Sequence, residues 1–198
     1  MKVSKEQSQA NRQAIVEAAA RLYRERGLEG VGVAEIMAAA GFTHGGFYGH
    51  FDSKEALAAE ACEHALKAPL ARLRGQLESG EGARPYFDRY LRTEHRDAPG
   101  LGCAMPTLAV DAGRASPAVS AAITSGIAGY LEAFATHRPD GTVAAAPDEA
   151  DKARAIMSLS VLVGGMVLAR ATGSAAPALS DEIIDVLKKA LPEYWDAS

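Results

Sequence analysis

Strand signals are what this sequence most conspicuously lacks. Across 198 residues no stretch alternates apolar and polar side chains over a strand length, and Val, Ile and aromatic residues are sparse, the aromatics making up 6%. Ala is abundant. That pattern excludes a sheet-built protein and leaves an all-α one. Cysteine is scarce as well. Cys62 and Cys103 are 41 residues apart with no CxxC partner, so reduced thiols are expected rather than a disulfide framework. The opening Met-Lys-Val-Ser-Lys-Glu-Gln-Ser-Gln holds no apolar signal region. Long hydrophobic runs are missing too. The most apolar uncharged one, Ala155 to Ala169, has 15 residues and contains Ser158, Ser160, Gly164 and Gly165. It is too short to span a bilayer and reads as a buried helix. The expectation is a soluble cytoplasmic protein with no membrane partner.

Chemistry-bearing clusters are equally thin. The five histidines, at 44, 50, 64, 95 and 137, show no metal-ligand spacing, and Cys62 and His64 point to different helix faces. Ser/His/Asp or Cys/His/Asn groupings, a phosphate loop and paired carboxylates in a credible site are all lacking. Neither an enzyme nor a cofactor or metal is expected. Net charge is −4, so the whole chain has no basic character. Residues 1–54 hold seven Lys/Arg against six Asp/Glu and the remainder fourteen against nineteen. Such a small asymmetry is compatible with one DNA-facing end and no more than that.

What is present is helical patterning in a chain long enough for a real core, 48% hydrophobic and 23% charged. Nine helices are expected. Ser8–Arg26 has an apolar stripe of Ile15, Ala18, Ala19 and Leu22, and Gly27 stands where a C-terminal cap belongs. Val33–Ala40 ends at Gly41. A short helix from His44 to about His50 has Thr43 as N-cap, with Phe42 and Phe47 at hydrophobic-staple positions. A fourth runs to about Leu77, capped by Asp52 (with Glu55 completing a capping box) or by Ser53, and kinked or split at Pro69. Helices over Pro85–His95, Met105–Gly113, Pro117–Thr136, Asp148–Ala171 and Ser180–Leu191 follow, separated by Gly/Pro-rich connectors.

The segment Gly32 to Leu57 is the most informative in the chain. Two short helices around a Gly-centred turn, the second opened by Thr43, form the pattern of a helix-turn-helix DNA reader. The free N–H groups after Thr43 suit phosphates, and the Tyr48 hydroxyl lies one turn on. Phe47 and Phe51 share the apolar side with Ile36 and Leu57 and read as core. His50 either donates to a phosphate or packs between helices. Gly45 and Gly46 either let the backbone approach DNA closely or mark a poorly optimised helix.

Val33-x-x-Ile36-x-x-x-Ala40-Gly41 followed by Phe47-Tyr48-x-His50-Phe51-x-Ser53-Lys54-x-x-Leu57 resembles the N-terminal domain of TetR-family transcriptional regulators. The resemblance implies a DNA-binding domain over 8–67 (reading segment about 33–52) and a ligand-binding and dimerisation domain over 68–198. By resemblance, Lys54 also contacts the DNA backbone. The implied DNA-facing set is Thr43, His44, Gly45, Gly46, Tyr48, His50 and Lys54. Gly32 stands where the family usually has Ser or Thr, and His44 and Gly49 where it often has Lys or Arg, so base readout falls mainly to Thr43 and His44.

The resemblance further implies a homodimer through the last two helices, consistent with Ile183, Ile184 and Leu187 on one face and with Gly164 and Gly165 permitting close helix approach. A two-fold dimer would read half-sites roughly 34–36 Å apart. An effector pocket is implied among the fourth to eighth helices. Tyr86, Phe87, Tyr90, Met105, Leu108, Ile127, Tyr130, Phe134 and Met157 are its candidates, each readable as core or as lining. The expected function is a ligand-responsive repressor on a palindromic double-stranded operator, released by a small, mostly apolar or aromatic effector. The alternative is a redox or electrophile sensor acting through Cys103, a thiol that otherwise reads as a small buried residue.

Overall fold

In the computed structural model, which describes residues 4–197, Ser4 opens the first helix by accepting a hydrogen bond from the Gln7 N–H at 3.1 Å. Helix α1 therefore spans Lys5–Arg26, one turn more than the apolar stripe alone suggests. It ends at Gly27, whose φ of +76° favours glycine. Ile15, Val16, Ala19, Leu22 and Tyr23 are its buried face.

Helix α2, Val33–Ala39, buries Ile36 and Met37. Gly41, at φ +83°, turns the chain, and the Phe42 N–H returns to the Met37 carbonyl at 2.8 Å. The next element, His44–Gly49, is a 3₁₀ turn rather than the expected α-helix. Three glycines in six residues, each worth about 1 kcal/mol against helix, account for the tighter and shorter form. Helix α3, Lys54–Glu78, is capped by Ser53: its hydroxyl accepts from the Ala56 N–H at 3.1 Å. The Asp52 capping box is not formed. Pro69 lies inside α3 without splitting it, because a 25-residue helix retains enough hydrogen bonds on either side of the one proline removes.

Beyond α3 the helices are α4 (Arg84–Tyr90), α5 (Thr93–Asp97), α6 (Met105–Ala112), α7 (Pro117–Thr136), α8 (Glu149–Thr172) and α9 (Pro177–Ala197), with a second 3₁₀ turn at Pro99–Leu101. The single helix expected over Pro85–His95 is broken, because Leu91 and Arg92 adopt non-helical backbone angles and separate α4 from α5. The connector after α7 closes on an antiparallel bridge between His137 and Val143. Among the described residues no strand forms beyond that bridge, so the chain is all-α.

The chain divides into two compact units and passes between them three times, inside α3, between Ala98 and Pro99, and inside α7. The first comprises the described residues through Lys67 together with Pro99–Ser125. Arg24 donates to the Gly100 carbonyl, its Nε at 2.9 Å, and the Thr107 hydroxyl donates to the Arg24 carbonyl at 2.9 Å. The Asp111 carboxylate accepts from the Leu28 N–H at 2.9 Å, just past the end of α1.

The second unit comprises Ala68–Ala98 and the residues from Gly126 onward. There Arg96 of α5 bonds the Ser180 hydroxyl at 2.8 Å and Asp181 at 2.6 Å, while Arg170 of α8 donates to the His95 carbonyl at 2.9 Å. Helices α7 and α8 are each long and apolar enough to cross a bilayer by length and composition. The second extends well past the 15-residue uncharged run. It buries Ala155, Leu159, Leu162, Met166 and Ala169 within its unit, as a core helix does.

Candidate nucleic-acid interface

Every residue of the 3₁₀ turn except Phe47 is exposed. Phe47 is buried and stacks on Phe51 with ring centroids 5.7 Å apart, while its neighbour Tyr48 is 76% exposed. Thr43, extended at φ −81° and ψ 150°, occupies the cap position, but its side chain makes no capping hydrogen bond. The Gly46 N–H bonds the Thr43 carbonyl instead, at 3.0 Å. A six-residue 3₁₀ turn has little of the aligned dipole expected of an α-helix. What it offers is exposed side chains and backbone on a buried aromatic base. Thr43, His44, Gly45, Gly46 and Tyr48 all lie on that exposed surface; His50 and Lys54 are half-buried beside it.

A Cβ built on Gly45 or Gly49 would meet nothing within 4 Å, and one on Gly46 would touch only the Met37 methyl at 3.6 Å. The fold itself therefore does not require glycine at these positions. Gly32, the N-cap of α2, is likewise open and offers no side-chain cap. Glu55, in the first turn of α3, is held below the usual carboxylate range by its own backbone N–H and the Ser53 hydroxyl.

One residue that periodicity could not single out holds this segment. Arg12 of α1 donates from Nε to the His50 carbonyl at 3.3 Å, pairs through Nη1 with Glu60 of α3, and lays its guanidinium 4.4 Å from the Phe51 ring centroid. Its side chain remains 41% exposed. The contacts reach 38 and 48 residues along the chain, far beyond any helical period.

The effector candidates fall into three places. Tyr86, Phe87, Tyr90, Tyr130 and Phe134 are buried in one aromatic cluster of the second unit, completed by Trp195, whose ring lies 5.5 Å from Phe87 and 5.7 Å from Phe134. Ile127 is half-buried in that unit, and Met157 is 49% exposed on α8. Met105 and Leu108 are buried in α6, in the first unit. Trp195 was missed because α9 runs to Ala197, beyond the helix end expected at Leu191.

Both cysteines are buried and neither forms a disulfide. Burial, helped by Asp111, pushes the Cys62 thiol up to about 12, the mark of an inert core thiol. Cys103 lies within charge range of Arg24, whose own pKa burial lowers. His95 is also lowered by burial, against a hydrogen bond with the Tyr90 carbonyl at 2.7 Å. Among the described residues no group of three or more His, Cys, Asp or Glu is arranged to hold a metal ion.

An exposed turn on a buried aromatic base, following a Gly-centred bend in an all-α chain, defines the helix-turn-helix class. Residues 15–61 match the family model of bacterial regulatory proteins, tetR family. The chain is 33% identical over 81 residues to the HTH-type transcriptional repressor KstR2 of Rhodococcus jostii, a stretch covering 41% of this chain and 40% of that protein. The chain thus matches well under half the length of this relative. Its fold is that of a TetR transcriptional regulator from Chloroflexus aurantiacus (TM-score 0.72, 23% identity, 94% of each chain covered) and of a TetR-family regulator from Cytophaga hutchinsonii (TM-score 0.70, 21% identity, 98% of each chain).

Proposed function

We propose that this regulator is a cytoplasmic, ligand-responsive repressor that binds a palindromic double-stranded operator as a homodimer and is released by a small, mostly apolar or aromatic effector. The observation that carries the reading is the 3₁₀ turn, which buries Phe47 and leaves Thr43, His44, Gly45, Gly46 and Tyr48 exposed. Homodimerisation is supported by α8 and α9, where Ile156, Met157, Leu168, Leu179 and Val186 stay exposed, an apolar surface of the kind that marks an interface. The aromatic cluster suits an apolar or aromatic effector. An effector that prefers one of two conformations lowers operator affinity by its differential binding free energy.

The test is selection of duplexes from a random-sequence pool by the purified protein at low salt, followed by footprinting and light scattering. A two-fold footprint bound by a dimer is expected. Val186→Glu should give a monomer with a weakened footprint, because a buried carboxylate opposes association. Enrichment of no duplex overturns the DNA reading, and a wild-type monomer overturns the dimer. The second reading, a thiol sensor, draws on the position of Cys103 near Arg24. Cys103→Ser separates the two: a pocket regulator keeps its response to effector and a thiol sensor loses its response to oxidant or electrophile.

A further inference from the structure

We infer that Arg12 is a positioning residue for DNA reading: it fixes the end of the turn His44–Gly49 without itself contacting DNA. This rests on the proposed DNA-binding role of that turn. The turn has six residues, three of them glycine, and Gly45, Gly46 and Gly49 have no side chains with which to hold it. Its exposed side chains are aimed by what anchors the turn, and the Tyr48 ring packs edge-on against Phe47 at 5.2 Å. The buried ring of Phe47 is one anchor from within. At the C-terminal end, where His50 follows, the anchor comes from α1.

The chemistry of that anchor is particular to arginine. A planar guanidinium presents donors in a fixed fork and an apolar face at once. Here one edge bonds the His50 carbonyl, another nitrogen pairs with Glu60, and the face lies over Phe51. A single side chain thereby ties the reading turn to α1 and α3 together, and cation–π contact adds to its hold. A lysine could satisfy the carbonyl or the carboxylate, but it has neither the fork nor the flat face. Because Nε and Nη1 are turned to the His50 carbonyl and Glu60, Arg12 is assigned a contribution to geometry rather than to phosphate charge. Phosphate contacts set sequence-independent affinity, whereas the aim of the turn sets sequence discrimination.

The experiment compares affinity for a duplex enriched by the wild-type protein with affinity for a scrambled duplex of equal length, with thermal midpoints measured in parallel. For Arg12→Ala the ratio of the two affinities should fall about tenfold or more, the scale of losing readout at one base pair, while affinity for the scrambled duplex stays unchanged. Glu60→Gln, which frees one edge of the fork, should produce a smaller fall. An equal loss on both duplexes would mean that Arg12 contacts phosphate, and an unchanged ratio that the turn is held without it. Either result overturns the inference. If Arg12→Ala is unfolded at the assay temperature, Arg12→Lys decides: a full return of the wild-type ratio overturns the inference, and a reduced ratio with a wild-type midpoint supports it. Failure of the wild-type protein to enrich any duplex would instead remove the DNA reading itself.

Discussion

Asp151 illustrates how much one side chain organises in the second unit. It is 3% exposed, and its carboxylate takes Arg138 through two nitrogens, Nε at 2.9 Å and Nη2 at 2.7 Å, and Arg154 through Nη2 at 2.7 Å. It also accepts the Asp148 N–H at 3.2 Å, one half of a capping box that opens α8. The Arg138 and Arg154 hydrogen bonds hold its pKa well below the carboxylate range. A carboxylate depressed in the folded state contributes stability that is present above the unfolded pKa, about 3.9, and lost as pH falls from there through the folded value. Arg154, buried over the Trp195 ring at 5.1 Å, would then lose its carboxylate partner. Asp151→Asn should therefore lower Tm at pH 7 and flatten the decline of Tm below about pH 4. Equal acid dependence in variant and wild type would show that the two arginines do not hold this carboxyl down.

At the scale of elements, the reading turn combines local weakness with external support. Gly45→Ala meets no steric obstacle and should leave stability unchanged or raise it by up to about 1 kcal/mol. If the missing Cβ serves close approach to DNA, the same variant binds its selected duplex less tightly. Unchanged affinity together with raised stability would make the glycines mere poor helix formers. The elements themselves were largely legible in the sequence, since helical periodicity and the Gly27 and Gly41 stops are local signals. The 3₁₀ form of the reading turn was not, because apolar spacing over six residues cannot separate i+3 from i+4 hydrogen bonding. Nor was the break at Leu91–Arg92, which has neither Gly nor Pro to announce it. The DNA-facing candidates rest on the motif and its resemblance, and five of the seven are exposed while His50 and Lys54 are half-buried. Arg12 and Trp195 were not legible, because their roles arise from pairings between distant segments.

For the molecule as a whole, the proposed function requires an acidic chain of net charge −4 to hold a polyanion. The arginines of its first unit are largely engaged within the protein. Arg12 pairs with Glu60, Arg21 with Glu25 and Arg26 with Glu35, and Arg24 is turned to the Gly100 carbonyl. The family positions that often carry Lys or Arg are here His44 and Gly49, so the proposed function would rest on Lys54 and the hydroxyls of Thr43 and Tyr48 as phosphate partners. Neutral donors orient the protein on phosphate but release few counterions. If each half of a dimer neutralises one phosphate through Lys54, the slope of log K against log salt is about −1.8, and affinity falls roughly 12-fold between 50 and 200 mM salt. A more basic reader making 6–10 such contacts loses about 10³- to 10⁵-fold over the same range. Titrating the selected duplex at several salt concentrations measures the slope directly. A value near −8 would require cations that this surface has already committed to its own carboxylates, and those ion pairs would then have to open on DNA.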